Sequence, residues 1–139
     1  MVTQDGENIS VELPESRWFI DSDWYEQNRR SFYDMSWRSL CAKCAEKLQK
    51  RKKKVTTGDI LAAIKNCCSE SPDYITARLP IMESAFRILL ANGNEPLGVT
   101  ELGRRLSECR GGDTYTASPQ MLNRLLSNDR WYGFKKVTE

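Results

Sequence analysis

The chain of 139 residues contains no histidine. Histidine is the side chain best suited to proton transfer near neutral pH, so its absence removes the commonest general acid or base. The sequence also lacks a Gly-rich phosphate-binding loop and a Gly-x-Ser-x-Gly nucleophile motif. Neighbouring acids such as Asp21 and Asp23 are better explained as helix caps than as a catalytic pair. We therefore expect a protein that is not an enzyme.

Long apolar runs are also missing. No stretch approaches the roughly 20 apolar residues that a membrane-spanning helix needs, and the first residues lack the basic and apolar regions of a secretion signal. We therefore expect a cytoplasmic protein that does not enter the membrane. In that reducing compartment, closely spaced cysteines bind metal more often than they form disulfides.

Cysteine is scarce, but four of the five cysteines form two close pairs, Cys41/Cys44 and Cys67/Cys68. Apolar residues at three- and four-residue steps predict a helix over residues 36–52 that carries the first pair. A second helix follows a basic turn and carries the other pair. An antiparallel helical hairpin would bring all four sulfurs to one level, which predicts a metal site.

Local signals refine the second of these helices. Thr56 and Asp59 have the spacing of a capping box. Adjacent helical residues point about 100° apart, so Cys67 and Cys68 can share one ion only if the helix frays near Ser69.

All-cysteine ligation favours zinc, with an iron–sulfur cluster as the alternative. The segment from Ser39 to Leu48 is similar to the cysteine pair that opens the helix of treble-clef zinc fingers, although the upstream Cys-x-x-Cys of that family has no counterpart here. Cys109 is a spare ligand. Buried thiols that bind no metal and pack as small hydrophobes are a second interpretation, and thiol redox chemistry is a third.

The second half of the chain has a different pattern. It predicts, in order, a helix over 81–91 after Pro80, an extended piece over 96–99, a helix that Thr100 caps and that runs to about Glu108, a loop at 111–113, a helix opened by Ser118-Pro119 and a strand over 131–137. Residues 80–137 resemble the winged helix–turn–helix superfamily in this order of elements. The resemblance implies that the third helix enters the major groove of DNA.

Several polar residues then become candidates for nucleic-acid contact. Gln and Asn can pair with adenine edges and Arg with guanine, while other cations contact phosphate. On the second helix, the third helix and the wing strand of the resemblance, the candidates are Arg104, Arg105, Gln120, Asn123, Arg124, Lys135 and Lys136. The alternative is that they form the solvent side of amphipathic elements.

The segment Lys47–Lys54 holds six cations and no acid. Its residues Lys50, Arg51, Lys52, Lys53 and Lys54 could contact phosphate and make binding salt-dependent. A solvated helix end, at which cations oppose the partial negative charge of the helix, would explain the same run.

Together these patterns predict a mainly α-helical fold in three parts: a flexible arm over 1–22, a helical and metal-binding domain over 23–75, and a winged-helix domain with a small β wing over 78–139. We expect a DNA-binding regulator of transcription, with RNA as a further target. The alternative is a structural subunit that uses both parts to dock onto a protein partner.

Overall fold

The structure, a computed structural model, describes residues 15–110 and 118–137. Within these ranges the chain forms three short strands, seven α-helices and a 3-10 turn at Cys68–Glu70. The strands are β1 (Arg17–Ile20), β2 (Leu97–Gly98) and β3 (Phe134–Lys136). The helices are α1 (Ser22–Gln27), α2 (Phe32–Trp37), α3 (Ala42–Gln49), α4 (Thr57–Asn66), α5 (Ile81–Ala91), α6 (Val99–Cys109) and α7 (Pro119–Asn128). The expectation of a mainly helical chain is confirmed, and no helix in the described residues is long and apolar enough to cross a membrane.

The sheet is built from both ends of the described chain. Strand β1 lies in the centre and pairs antiparallel with β2 on one side and β3 on the other, so that Trp18 faces Leu97 and Lys136. Side chains alternate along β1, and those of Trp18 and Ile20 are buried. The prediction of a flexible arm is therefore wrong for residues 17–20, whereas residues 1–14 of that arm lie outside the described residues.

The core is continuous across the boundary that the sequence predicts near residues 75–78. Helix α5 is its centre, since this helix contacts α4, α6 and β1. Side chains from both predicted domains belong to one cluster of buried residues, including Trp18, Ile64, Leu89 and Leu122. The described residues on either side of the predicted boundary therefore share one core.

The N-terminal helices differ from the prediction. Helix α1 begins after Asp21, whose side chain accepts from the backbone N–H of Asp23, and it ends at Gln27. The helix predicted over residues 36–52 is broken, because α2 ends at Trp37 and α3 begins only at Ala42. No glycine or proline lies between them, which explains why the break carries no obvious sequence signal.

The predicted hairpin of the two cysteine-bearing helices is not confirmed. Helix α4 contacts α2 and α5 more extensively than it contacts α3. Its predicted N-terminus is confirmed: Thr56 and Asp59 form a reciprocal capping box.

The element order predicted for the second half is present, as α5, β2, α6, α7 and β3. Asn92 ends α5 and is followed by Gly93 with a positive φ, and Ser118 caps α7 with Pro119 at its first turn. The N-cap of α6 is Gly98 instead of the predicted Thr100, so this helix begins at Val99. The predicted loop at residues 111–113 lies outside the described residues.

Candidate functional site

Three of the four predicted cysteine ligands meet. The Sγ atoms of Cys41, Cys44 and Cys68 all lie within 4.8 Å of one another. The Cys68 thiol is 3.4 Å from the Cys41 sulfur and donates a hydrogen bond to it. Cys44 and Cys68 are buried, while Cys41 is half-buried. This cluster could hold a metal ion, as the sequence predicted for this pair of segments.

Local backbone structure explains the convergence. Cys41 is the N-cap of α3, so Cys44 lies in the first turn on the same side. At the other end of the cluster, α4 stops at Cys67, and Cys68 starts the 3-10 turn. The backbone of Cys67 is non-helical, with φ −139° and ψ −63°. The helix therefore breaks at Cys67, and not near Ser69 as the sequence predicted.

Cys67 is the fourth predicted ligand and lies beside the other three. Interaction with its thiol lowers the pKa of Cys41 and raises the pKa of Cys44. It does not, however, lie within 4.8 Å of all three sulfurs of the cluster. The fold thus supplies three tightly grouped sulfurs and a fourth at their edge.

Backbone N–H groups point at the sulfurs. The backbone N–H of Cys44, close to the Cys41 sulfur, lowers the pKa of the Cys41 thiol to about 7, despite partial desolvation. The N–H of Cys41 donates to the Cys68 sulfur over 3.1 Å. Donors of this kind orient sulfur ligands and stabilise their thiolate form.

Burial acts in the opposite direction on the inner thiols. It is the largest cause that raises the pKa values of Cys44 and Cys68 above their ordinary value. Without a cation these two thiols therefore stay protonated at neutral pH, and a metal that binds them has to displace their protons.

The sequence suggested Cys109 as a possible further ligand. This residue is exposed at the end of α6 and is not a member of the cluster. It lines a separate pocket of about 310 Å³ together with Tyr74 and Ile88. Partial desolvation of the thiol and the neighbouring Glu108 raise its pKa. This cysteine is therefore not an activated nucleophile.

Two predicted phosphate contacts on α6 are engaged with acids. Arg104 pairs with Glu101 and Glu108, and Arg105 pairs with Glu101 over 2.8 Å. Their positive charge is largely compensated within the helix, so a phosphate would have to compete with these carboxylates. The spacing of three and four residues was visible in the sequence and indicates such pairs.

Helix α7 presents part of the predicted reading face. Gln120, Arg124 and Ser127 are exposed, and Arg124 has no ion pair among the described residues. Asn123 instead accepts a 2.9 Å hydrogen bond from the buried Trp18 indole. Its side-chain oxygen therefore holds α7 against β1 and is not free to accept from a base.

An acid lies next to this face. Glu15 accepts from the N–H of Thr100 at the start of α6, and it lines a groove of about 360 Å³ together with Gln120 and Asn123. A carboxylate at a helix N-terminus takes the place in which a phosphate would otherwise be stabilised. Sequence reasoning assigned no function to Glu15.

The remaining candidate cations are mostly exposed. Lys50 pairs with Glu46 over 3.7 Å and Arg51 with Asp59 over 3.4 Å. Within the described ranges no ion pair involves the exposed residues Lys52, Lys53, Lys54 or Lys136. Lys135 lies 3.8 Å from Asp21.

Comparison with known proteins leaves the family open. No protein-family model, no curated protein and no solved structure matches this chain.

Proposed function

We propose that this chain is a non-enzymatic nucleic-acid-binding protein of winged-helix type, stabilised by a structural zinc ion. The ligands of the zinc ion would be Cys41, Cys44, Cys67 and Cys68. The observation that carries the proposal is the grouping of three sulfurs within 4.8 Å at the junction of two helix ends. The same grouping connects segments that are otherwise far apart in the chain.

Zinc suits this spacing better than an iron–sulfur cluster. Tetrahedral zinc with Zn–S bonds of about 2.3 Å places its sulfurs about 3.8 Å apart. The sulfurs of Cys41 and Cys68 are 3.4 Å apart, so a small expansion admits the ion. A polynuclear cluster attaches its cysteines to different iron atoms and needs wider separation.

Elemental analysis of the native protein tests the site. We expect about one equivalent of zinc per chain, as for a closed four-ligand structural site. Cys44→Ser and Cys67→Ser should lose zinc and lower the melting temperature, whereas Cys109→Ser should do neither. Protein that contains no metal, and whose melting does not change when a chelator is added, would contradict the zinc proposal.

The proposed nucleic-acid contact is α7 in the major groove of a duplex. Its exposed face offers the amide of Gln120 and the guanidinium of Arg124, which has no ion pair among the described residues. These groups can pair with adenine and guanine. Lys52, Lys53 and Lys54 add exposed charge that can replace counterions on the phosphate backbone. Arg104 and Arg105 contribute less, because acids already pair with them.

Fluorescence anisotropy with random duplex DNA at 50–300 mM salt tests this proposal. We expect affinity to fall steeply with salt and Arg124→Gln to weaken binding. Arg104→Gln is the matched control, since it removes the same charge from an ion-paired side chain. No binding at the lowest salt, or equal losses in both variants, would count against recognition by α7.

Docking onto a protein is the second candidate. It is favoured by Met121, which is 41% exposed on α7 beside Gln120, since an exposed apolar side chain suits a protein contact better than a phosphate backbone. A Met121→Lys variant separates the two functions. It should strengthen binding to DNA if α7 faces phosphate, and it should abolish binding to a protein that covers Met121.

A further inference from the structure

A pocket of about 180 Å³ lies where α2, α5 and the segment before β3 meet. Three of its lining residues are arginines, Arg30, Arg38 and Arg87, and only one is an acid, Glu83. They come from three separate parts of the chain, and none was predicted from the sequence as a binding residue.

The charges of this pocket do not balance. Glu83 lies 3.6 Å from Arg87, whose guanidinium also donates to the backbone oxygen of Tyr74 over 2.8 Å. Arg30 and Arg38 have no carboxylate partner in the part of the chain that the structure describes. Two positive charges therefore remain at one small concave site, which favours an anionic ligand.

An aromatic side chain holds one of these arginines in place. The guanidinium carbon of Arg30 lies 4.3 Å from the centre of the Trp131 ring and 5.9 Å from that of Trp24. Stacking leaves the N–H groups at the edge of the guanidinium free to bind an oxyanion in a bidentate manner. Trp131 is nevertheless 62% exposed, so this wall of the pocket stays open to a ligand.

A buried donor in the pocket wall is also unsatisfied. The Nε of Arg87 is buried and has no hydrogen-bond partner among the described residues. A buried donor without a partner is rare in folded proteins and calls for an explanation such as a missing water or ligand. The uncompensated charge of Arg30 and Arg38 favours an acceptor-rich group at this site.

We propose that this pocket binds a phosphate group, with Arg30 and Arg38 as the charged donors and Trp131 as the open wall. The shared chemistry is that of a phosphate monoester, whose source is either a small phosphorylated molecule or the terminal phosphate of a nucleic acid. The proposal does not depend on duplex binding by α7 or on the zinc site.

Calorimetric titration of the full chain with inorganic phosphate, at constant ionic strength set with chloride, tests the site. We expect saturable binding that Arg38→Gln weakens about tenfold or more, as for the loss of a charge-assisted hydrogen bond. Arg78→Gln removes the same charge from an exposed side chain outside the pocket and should leave phosphate affinity unchanged. Arg38 is exposed and has no partner among the described residues, so its variant should melt like the parent protein.

Three results of this titration would overturn the proposal: no saturable heat, a loss of equal size in Arg38→Gln and Arg78→Gln, or full affinity in Arg30→Lys. The last variant keeps the charge but loses the planar fork.

Competition identifies the source of the phosphate. Displacement by a sugar phosphate alone assigns the site to small molecules. Displacement by a 5′-phosphorylated oligonucleotide, but not by its 5′-hydroxyl form, assigns the site to nucleic-acid ends. If neither displaces inorganic phosphate, the site binds an adventitious ion only and the proposal fails.

Discussion

The indole Nε1–H of Trp18 donates a 2.9 Å hydrogen bond to Oδ1 of Asn123, which lies 105 positions later in the chain. The bond connects the central strand β1 with α7. Trp18 is almost completely buried, so its N–H has little access to water as an alternative partner. The side chain that the sequence suggested for base contact therefore supports the fold.

Removing this acceptor should destabilise the protein. We expect Asn123→Ala to lower the free energy of unfolding by about 1–3 kcal/mol, because a buried donor is left unsatisfied. Asn128→Ala, at the exposed end of the same helix, is the control and should change stability much less. Urea denaturation measures both, and a loss of the same size in each would show that the bond to Trp18 contributes nothing.

Asn94 makes a comparable connection to β1. Its side-chain amide accepts from the N–H of Ile20 over 2.8 Å and donates to the carbonyl of Ile20 over 2.9 Å, while its own φ is +58°. Asn94→Ala loses both bonds and strains the backbone, whereas Asn94→Gly loses only the bonds. We expect the glycine variant to be more stable than the alanine variant by about 1 kcal/mol. Equal unfolding midpoints in urea would argue against any strain at this position.

Hydrogen bonds from Arg110 connect the end of α6 with the segment before α5. Its guanidinium donates to the carbonyls of Leu79 and Ala77 and to the hydroxyl of Ser84. We expect Arg110→Ala to cost about 1–3 kcal/mol in the free energy of unfolding, since these acceptors lose a charged donor. Arg78→Ala, on an exposed side chain that has no partner among the described residues, should be close to neutral. Thermal and urea unfolding of both variants provides the comparison.

Acid should weaken the ion pairs on α6. Hydrogen bonds from Arg104 and then Arg105 lower the pKa of Glu101 from 4.5 to about 2. Because the folded-state pKa is the lower one, the stabilisation is present above pH 4.5 and is lost as the pH falls towards 2. The difference in melting temperature between the parent protein and Glu101→Gln should therefore shrink from pH 7 to pH 3. Glu95→Gln, on an exposed side chain, is the control; a difference that does not change with pH would be contrary to expectation.

Short-range signals in the sequence predicted much of the local structure. The capping box at Thr56, the end of α5 at Asn92 and the Ser118-Pro119 start of α7 each depend on neighbouring residues, and all three are confirmed. These features could be predicted because the side chain and the backbone group that it satisfies lie within a few positions of each other.

Features that depend on distant partners were missed. The four residues of β1 form a strand because they pair with residues 79 to 81 positions later in β2 and 114 to 118 positions later in β3. The sequence likewise gave no sign that Asn123 would be bonded to Trp18 or that three arginines would meet near Trp131.

The cysteine cluster lies between these two cases. The spacing of Cys41 and Cys44 predicted a shared site, and the grouping with Cys68 confirms that two distant segments meet. The hairpin that was expected to bring them together is not confirmed, since the main helix contacts of α4 are with α2 and α5. Helix ends, more than helix faces, bring these sulfurs together.

The position of β1 between β2 and β3 has a consequence for protein synthesis. A ribosome produces residues 17–20 before the five helices that precede β2 and before the seven that precede β3. The apolar side chains of Trp18 and Ile20 therefore lack their sheet partners until residues 134–136 have been synthesised, and exposed apolar segments of this kind are prone to aggregate during folding.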